Sequence, residues 1–291
     1  MTSPIAKLGL GSGQFGLEQP VSARGRSRDA EARDILSIAA RAGVSVLEVG
    51  RHSQAVELTL GQVIPKPNPF RLTVTTVRPD RGADFAEAEV RAQIARLGVT
   101  AVDAIFAPSA TDMLSPGGQA LWDRLRELKD QGVCRKIGVS VYASDDPVGI
   151  ARRFKPDVVQ APASLLDQRL IVDGTLSELA AMDVEVQLRS IFLNGVLFLP
   201  PDRAPSHLKA AAGRISRARR LIAEGRSDPL QAALGFALSR PEASAVLVDV
   251  ASAAEMSAVI AAAMSPPPDL DWDEMALDDP AALDPRAWAA A

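Results

Sequence analysis

The side chains that most often move protons in enzymes are scarce in this chain. It holds two histidines (His52 and His207), one tyrosine (Tyr142) and one cysteine (Cys134). Enzymatic proton transfer draws on His, Tyr, Cys, Lys or a carboxylate, so a mechanism here must use very few of the first three. The same scarcity argues against a His-rich zinc or iron site and a cysteine cluster, and no metal site is expected. His207 lies in the polar run Pro205–Leu208 and reads as exposed. Cys134 precedes an apolar run and reads as a small buried hydrophobe rather than a nucleophile. Arg214, Arg217, Arg219 and Arg220 fall in one helical segment, where they spread over a solvated face; phosphate binding is the weaker alternative. Gly11 to Gly16 spells G-x-G-x-x-G after an apolar run. A dinucleotide site would need a helix opening inside that motif, but Pro20 follows and helical spacing resumes only near Arg28. The motif therefore reads as a glycine-rich turn.

The elements that must position these residues alternate regularly. Apolar runs rich in Val, Ile and Leu predict strands at Lys7–Gly11, Val44–Val49, Leu72–Val77, Val102–Ala107, Lys136–Val141, Asp157–Gln160, Val184–Leu188 and Ala245–Val248. Their continuous hydrophobicity suits parallel strands covered on both faces. Helical periodicity predicts helices at Arg28–Arg41, Ala83–Leu97, Pro116–Gln131, Thr175–Met182, Ser206–Glu224, Pro229–Leu238 and Ser252–Met264. Asp228-Pro229 is a strong helix start, with the aspartate as N-cap and the proline at the first helical position. Such alternation points to an α/β fold, a (β/α)8 TIM barrel, rather than a doubly wound sheet. Residues 1–265 read as a single barrel domain. Residues 266–291 read as a Pro- and Asp-rich tail packed on or extending from the barrel, on the surface and pinned by Trp272 and Trp288.

The chain has 291 residues, of which 47% are hydrophobic, enough for a sizeable core. Lys and Arg total 32 against 36 Asp and Glu, a net charge of −4. That balance argues against a strongly basic nucleic-acid binder and a polybasic membrane-surface protein. No run approaches the roughly 18 apolar residues of a spanning helix. The N-terminal Met1-Thr2-Ser3-Pro4 opens no basic region followed by an apolar core, so no signal peptide is expected. A cytoplasmic protein without nucleic-acid or membrane partners is the expectation.

Several phrases carry a resemblance. They are Lys7 to Gly16, Ala42-Gly43-Val44 with Leu47 and Glu57 to Gly61, Lys136 to Ser140, Asp157 to Pro162 with Leu165 to Arg169, Arg189 to Gly195, and Asp284 to Trp288. Together they are similar to the aldo-keto reductase superfamily over nearly the whole chain. The Gln160-Ala-Pro162, Arg189 to Gly195 and Asp284 to Trp288 phrases resemble a bacterial branch associated with surface-sugar biosynthesis. The resemblance implies a barrel of aldo-keto reductase type, with its site at the C-terminal rim. It also implies NADPH as hydride donor and a tetrad of Tyr, Lys, Asp and His.

Carried over residue by residue, the resemblance puts none of the four in place. Glu48 stands where the family has its aspartate, and Ser53 where it has the proton-donating tyrosine. Thr76 stands for the lysine and Pro108 for the histidine. Glu48 and His52 are then the candidate catalytic residues, His52 being next to the tyrosine position. Glu48 is expected to be held by Arg51 or Arg78. Ser140 and Gln160 match positions that bond the nicotinamide carboxamide, and Ser190 a position beside the cofactor. Asp249 replaces a phosphate-loop glycine, where a carboxylate would repel a pyrophosphate. NADP binding is thus left open. The expected function is a diverged barrel that has lost ordinary carbonyl reduction and serves as a binding or regulatory protein, holding a small-molecule or nucleotide-type ligand at the mouth. The alternatives are an NAD(P)-dependent oxidoreductase with a rearranged donor, or different chemistry using Glu48, Arg78, Arg189 and Asn194.

Overall fold

Eight parallel strands close on themselves in chain order, each hydrogen-bonded to the next and the last to the first. The computed structural model describes residues 3–15, 28–199 and 208–288. The elements run β1 (Leu8–Gly11), α1 (Arg28–Ala42), β2 (Val46–Val49), α2 (Gln54–Val63), β3 (Arg71–Thr75), α3 (Ala83–Arg96) and β4 (Val102–Ala107). They continue with α4 (Ala110–Leu114), α5 (Gly118–Asp130), β5 (Cys134–Ser140), α6 (Pro147–Phe154), β6 (Val158–Pro162), α7 (Arg169–Val172), α8 (Thr175–Ala181) and β7 (Glu185–Arg189). The last are α9 (Ala212–Glu224), α10 (Pro229–Leu238), β8 (Ala243–Asp249), α11 (Ala253–Met264), α12 (Pro280–Leu283) and α13 (Pro285–Trp288). This is the (β/α)8 TIM barrel expected from the sequence, and all eight strands fall where the apolar runs lie.

Helices α2 and α6 form where the periodicity reading placed none. Ser53 caps α2 by accepting from the Val56 N–H at 3.4 Å, and Val56, Leu60 and Val63 bury one stripe. Asp146 caps α6 ahead of Pro147 at its first position, the same Asp-Pro start that opens α10. Gly61 lets α2 press on the end of α3, since a Cβ there would stand 2.4 Å from the Arg96 carbonyl oxygen.

The main apolar core lies between the strands and the helices, where Leu8, Leu47, Val74, Ile105, Val139 and Leu188 meet helix residues such as Leu36, Leu60 and Trp122. Trp122 is fully buried, and its indole N–H donates to the Phe154 carbonyl at 2.8 Å. A separate cluster of Ala104, Phe106 and Val158 fills the bore. Polar residues share that interior: Thr73, Gln160 and Gln187 are all buried.

Residues of the segment beyond Pro266 pack on the barrel. Met275, Leu277, Ala282 and Leu283 are buried against α9 and α10 residues such as Ile222 and Phe236. Trp272 packs edge-on against Phe236, and the Trp288 indole N–H is spent on the Ala281 carbonyl. Of the α9 arginines, Arg214, Arg217 and Arg220 are exposed, as the helical spacing implies. Arg214 pairs with Asp278 and Arg217 with Glu274, so both bind this segment to the barrel. Arg219 donates to the carbonyls of Leu197 and Val196. Cys134 opens β5 rather than preceding it; it is buried, and desolvation pushes its thiol up to about 11.

Candidate functional site

Among the described residues, two separate depressions lie at the C-terminal face of the barrel. The larger is a cavity of ≈ 760 Å³ between the ends of β1, β7 and β8 and helix α11. Glu48, Gln160, Arg189, Ser190, Asn194 and Asp249 all line it. The second is an open depression of ≈ 700 Å³ beside β3 and β4, lined by Arg51, Thr76, Arg78 and Pro108 among others. The positions read from the sequence as one constellation are therefore divided. Ser53 lines neither depression and serves as the α2 cap. His52 lines neither; its Nε2 is 2.8 Å from the Ser12 hydroxyl. Ser140 ends β5 but does not line the cavity. His207 and Gly16 lie outside the described residues.

The floor of the cavity is set by strand register. Gly11 on β1 pairs with Glu48 on β2 and with Asp249 on β8. Parallel partners at one level project to the same side, so both carboxyls converge over a residue without a side chain. A Cβ on Gly11 would stand 2.2 Å from an Asp249 carboxylate oxygen. Gly11 thus ends the strand and makes room for the acids, while Ser12 to Phe15 turn over the rim.

Glu48 is pushed up to about 7, first by desolvation, then by the neighbouring Asp249 charge; Arg189 acts in the opposite direction. Desolvation also raises Asp249. Neither Arg51 nor Arg78 holds Glu48. Arg78 reaches out to Asp112 at 3.7 Å, and Arg51 is exposed in the second depression. The reason is geometric: residues just beyond a strand end lie on the rim, whereas Glu48 points across the bore toward β7 and β8. Glu48 makes no ion pair among the described residues.

Arg189 is anchored at the cavity edge. It donates to the Val141 carbonyl at 2.8 Å and to the Ser190 hydroxyl at 3.3 Å. Its guanidinium stacks 4.2 Å from the centre of the Tyr142 ring, and Arg286 from α13 stacks on the same ring at 3.9 Å. The loop after β7 carries left-handed backbone at Ser190, Leu193 and Asn194, with φ of 59°, 44° and 52°. Such conformations are costly for residues with a Cβ and cluster at functional sites. Gln160 is only 5% exposed and donates to Gln187 within the bore. Thr76 is fully buried, and its hydroxyl has no hydrogen-bond partner.

A pattern characteristic of the aldo/keto reductase family matches residues 7–276. The chain belongs to the aldo/keto reductase family. Its fold is shared with solved family members at low identity. The holo form of the aldo-keto reductase AKR11C1 from Bacillus halodurans superposes with a TM-score of 0.74 at 18% identity, over 92% of this chain and 89% of that one. An aldo-keto reductase structure from Pseudomonas aeruginosa gives 0.65 at 17% identity, over 89% of this chain and 90% of that one. An aldo-keto reductase of Mycolicibacterium smegmatis is 27% identical over 131 residues, which is 42% of this chain and 44% of that protein. The chain thus matches less than half the length of that curated relative.

Family membership raises the question of a nicotinamide dinucleotide. A phosphate would seek the N-terminus of α11, where free N–H groups and the helix dipole favour anions. In this aldo/keto reductase family barrel the donors there are largely taken. The Ala253 N–H donates to the Glu31 carboxylate at 2.7 Å, the Ala251 N–H to Glu255 at 2.8 Å, and the Glu255 N–H to the Ser252 hydroxyl at 3.2 Å. Asp249 and Glu255 add two carboxylates to the cavity lining. The described residues do not fit a pyrophosphate at this end. Sequence reasoning missed Glu255 and Glu31. Ser252-Ala-Ala-Glu255 has capping-box spacing and was a readable signal for the first; Glu31 comes from α1, and nothing local announces it. Among the described residues no group of three His, Cys, Asp or Glu is placed to hold a metal, and no helix is long and apolar enough to cross a membrane.

Proposed function

We propose that this member of the aldo/keto reductase family no longer carries out ordinary NADPH-dependent carbonyl reduction and instead binds a small molecule at the barrel mouth, in the cytoplasm. The observation behind this reading is the use made of Ser53. At the place of the family's proton donor the hydroxyl caps α2 and lines neither depression. General acid catalysis contributes on the order of 10² to 10⁴ in rate, and a serine hydroxyl is far too weak an acid at neutral pH to supply it. Thr76 and Pro108 supply no cation or imidazole nearby. The test is turnover of 4-nitrobenzaldehyde with NADPH, alongside a fluorescence titration of the cofactor. No turnover and a dissociation constant above roughly 100 μM are expected. Low-micromolar binding together with turnover like that of an ordinary reductase would overturn the reading.

A second reading is favoured by one observation. Glu48, pushed up to about 7, is poised as a general acid or base in the same cavity as Arg189 and Asn194. Arg78, also considered for such chemistry, faces the other depression.

A further inference from the structure

We propose that the second depression, beside β3 and β4, binds a phosphate group, carried by a small molecule or free. This site lies apart from the larger cavity, and its test is independent of whether that cavity holds a ligand.

The depression is the basic side of the barrel mouth. Its described lining holds three arginines, Arg51, Arg78 and Arg81, against two carboxylates, Asp80 and Glu89. Arg51 follows β2, whereas Arg78 and Arg81 follow β3, so the pairing of the two strands gathers them. Their donors are largely unspent. Arg51 makes no hydrogen bond or ion pair among the described residues. The charged partner of Arg78 is Asp112 at 3.7 Å, beyond hydrogen-bond distance. Arg81 lies over the Phe85 ring, 3.5 Å from its centre. Stacking occupies the face of a guanidinium and leaves the N–H donors on its edge for an oxyanion. Neither Asp80 nor Glu89 forms an ion pair with these arginines among the described residues.

An independent feature points to a ligand at the same place. Thr76 lines the depression although it is fully buried, and its hydroxyl has no hydrogen-bond partner. Its backbone N–H donates to the Phe106 carbonyl at 2.9 Å, which fixes the residue against β4 at the base of the depression. A buried hydroxyl left unpaired is costly, and a partner supplied from outside the chain removes that cost. A phosphate oxygen lodged between the arginines and the base accepts from this O–H as it accepts from the guanidinium groups.

The backbone adds to the same sign. Gly82 precedes α3 and has no side chain to cap it, and Phe85 in the first turn of that helix lines the depression. The open first turn and the helix dipole favour an anion. Phosphate suits this donor set better than a carboxylate does. A phosphate ester presents three terminal oxygens and close to two negative charges at neutral pH, enough for three guanidinium groups and a hydroxyl. Val77, Phe85 and Pro108 offer apolar wall to the body of an ester.

The test is calorimetric titration of the full chain with phenyl phosphate, inorganic phosphate and benzoate. Phenyl phosphate is expected to bind with a dissociation constant below roughly 1 mM and at least about tenfold more tightly than benzoate. Inorganic phosphate weaker than the ester assigns the apolar walls to an ester body, and equal binding of the two assigns the site to the free ion; either supports a phosphate site. Arg51→Gln and Arg81→Gln should each weaken phosphate about fivefold. Arg220→Gln removes the same charge from the exposed face of α9 and should leave the affinity unchanged. Thr76→Val keeps the shape and should weaken phosphate about threefold, while thermal unfolding of the unliganded protein stays the same or rises. Benzoate binding as tightly as phenyl phosphate, no phosphate binding below roughly 10 mM, or an equal loss in Arg220→Gln and Arg51→Gln overturns the proposal. An unchanged affinity in Thr76→Val also overturns it, since the buried hydroxyl then meets no ligand oxygen.

Discussion

Glu48 and Asp249 come from the second and the last strand of the barrel, yet they stand at one level on either side of Gly11. The glycine between them has no side chain to screen one carboxyl from the other, and Asp249 raises Glu48 through space. A pair so placed makes the stability of the barrel depend on pH.

The sign of that response follows from linkage. Glu48 is raised from 4.5 to about 7 on folding, so the folded state binds the extra proton and stability falls as pH rises across that window. Glu48→Gln removes the cost. It should stabilise the protein by about 2 kcal/mol at pH 8, discounted for water reaching one face of the carboxyl, and by almost nothing at pH 4. Urea denaturation at the two pH values checks this; equal effects at both would contradict it.

Asp249→Gly alone should do little for NADPH. The α11 donors remain engaged by Glu31 and Glu255, so an affinity gain below about tenfold is expected. Combining Asp249→Gly with Glu255→Gln should raise it further. A fluorescence titration of both variants decides, and full recovery by the single change would show that the helix terminus is not the obstacle.

Rebuilding the tetrad is expected to fail piecemeal. Residues that act as a unit are not additive, so Ser53→Tyr, Thr76→Lys, Pro108→His or Glu48→Asp alone should recover almost no aldehyde reduction. Ser53→Tyr should also cost about 1 kcal/mol by removing the α2 cap. Turnover and thermal unfolding of the single and combined variants read both effects.

The strands were legible because each is a continuous apolar run, and the barrel followed from their alternation with helices. Helix α6 carried the same Asp-Pro start that was read correctly at Asp228-Pro229, but it is only two turns long and its period was too short to register. The site was less legible. Glu48 and Asp249 could be named from the chain, but their adjacency depends on closure between β1 and β8. The partner sought for Glu48 among Arg51 and Arg78 was the wrong kind of neighbour, close in sequence but turned to another depression. The Glu31 contact with Ala253 joins residues 222 apart and has no local signature.

Arg286 should prove more important than its partial exposure suggests. It donates to Asp284, Asp145 and Ser144 and stacks on Tyr142, which in turn carries Arg189. Arg286→Ala should cost about 1 kcal/mol after allowance for solvent screening. It should also weaken ligand binding by loosening Arg189. Unfolding and titration of one variant test both, and an unchanged affinity would uncouple α13 from the cavity.

The seam between β1 and β8 gives the cavity a place in the order of folding. These are the first and last strands of the ring, so their pairing closes the longest loop in the barrel and bears a correspondingly large entropic cost. Before that seam forms, Glu48 looks onto solvent and titrates as an ordinary glutamate. Sealing it captures a proton anywhere between roughly pH 4.5 and 7. Ring closure is therefore a proton-uptake step, and a partly folded chain with an open seam has no binding cavity at all.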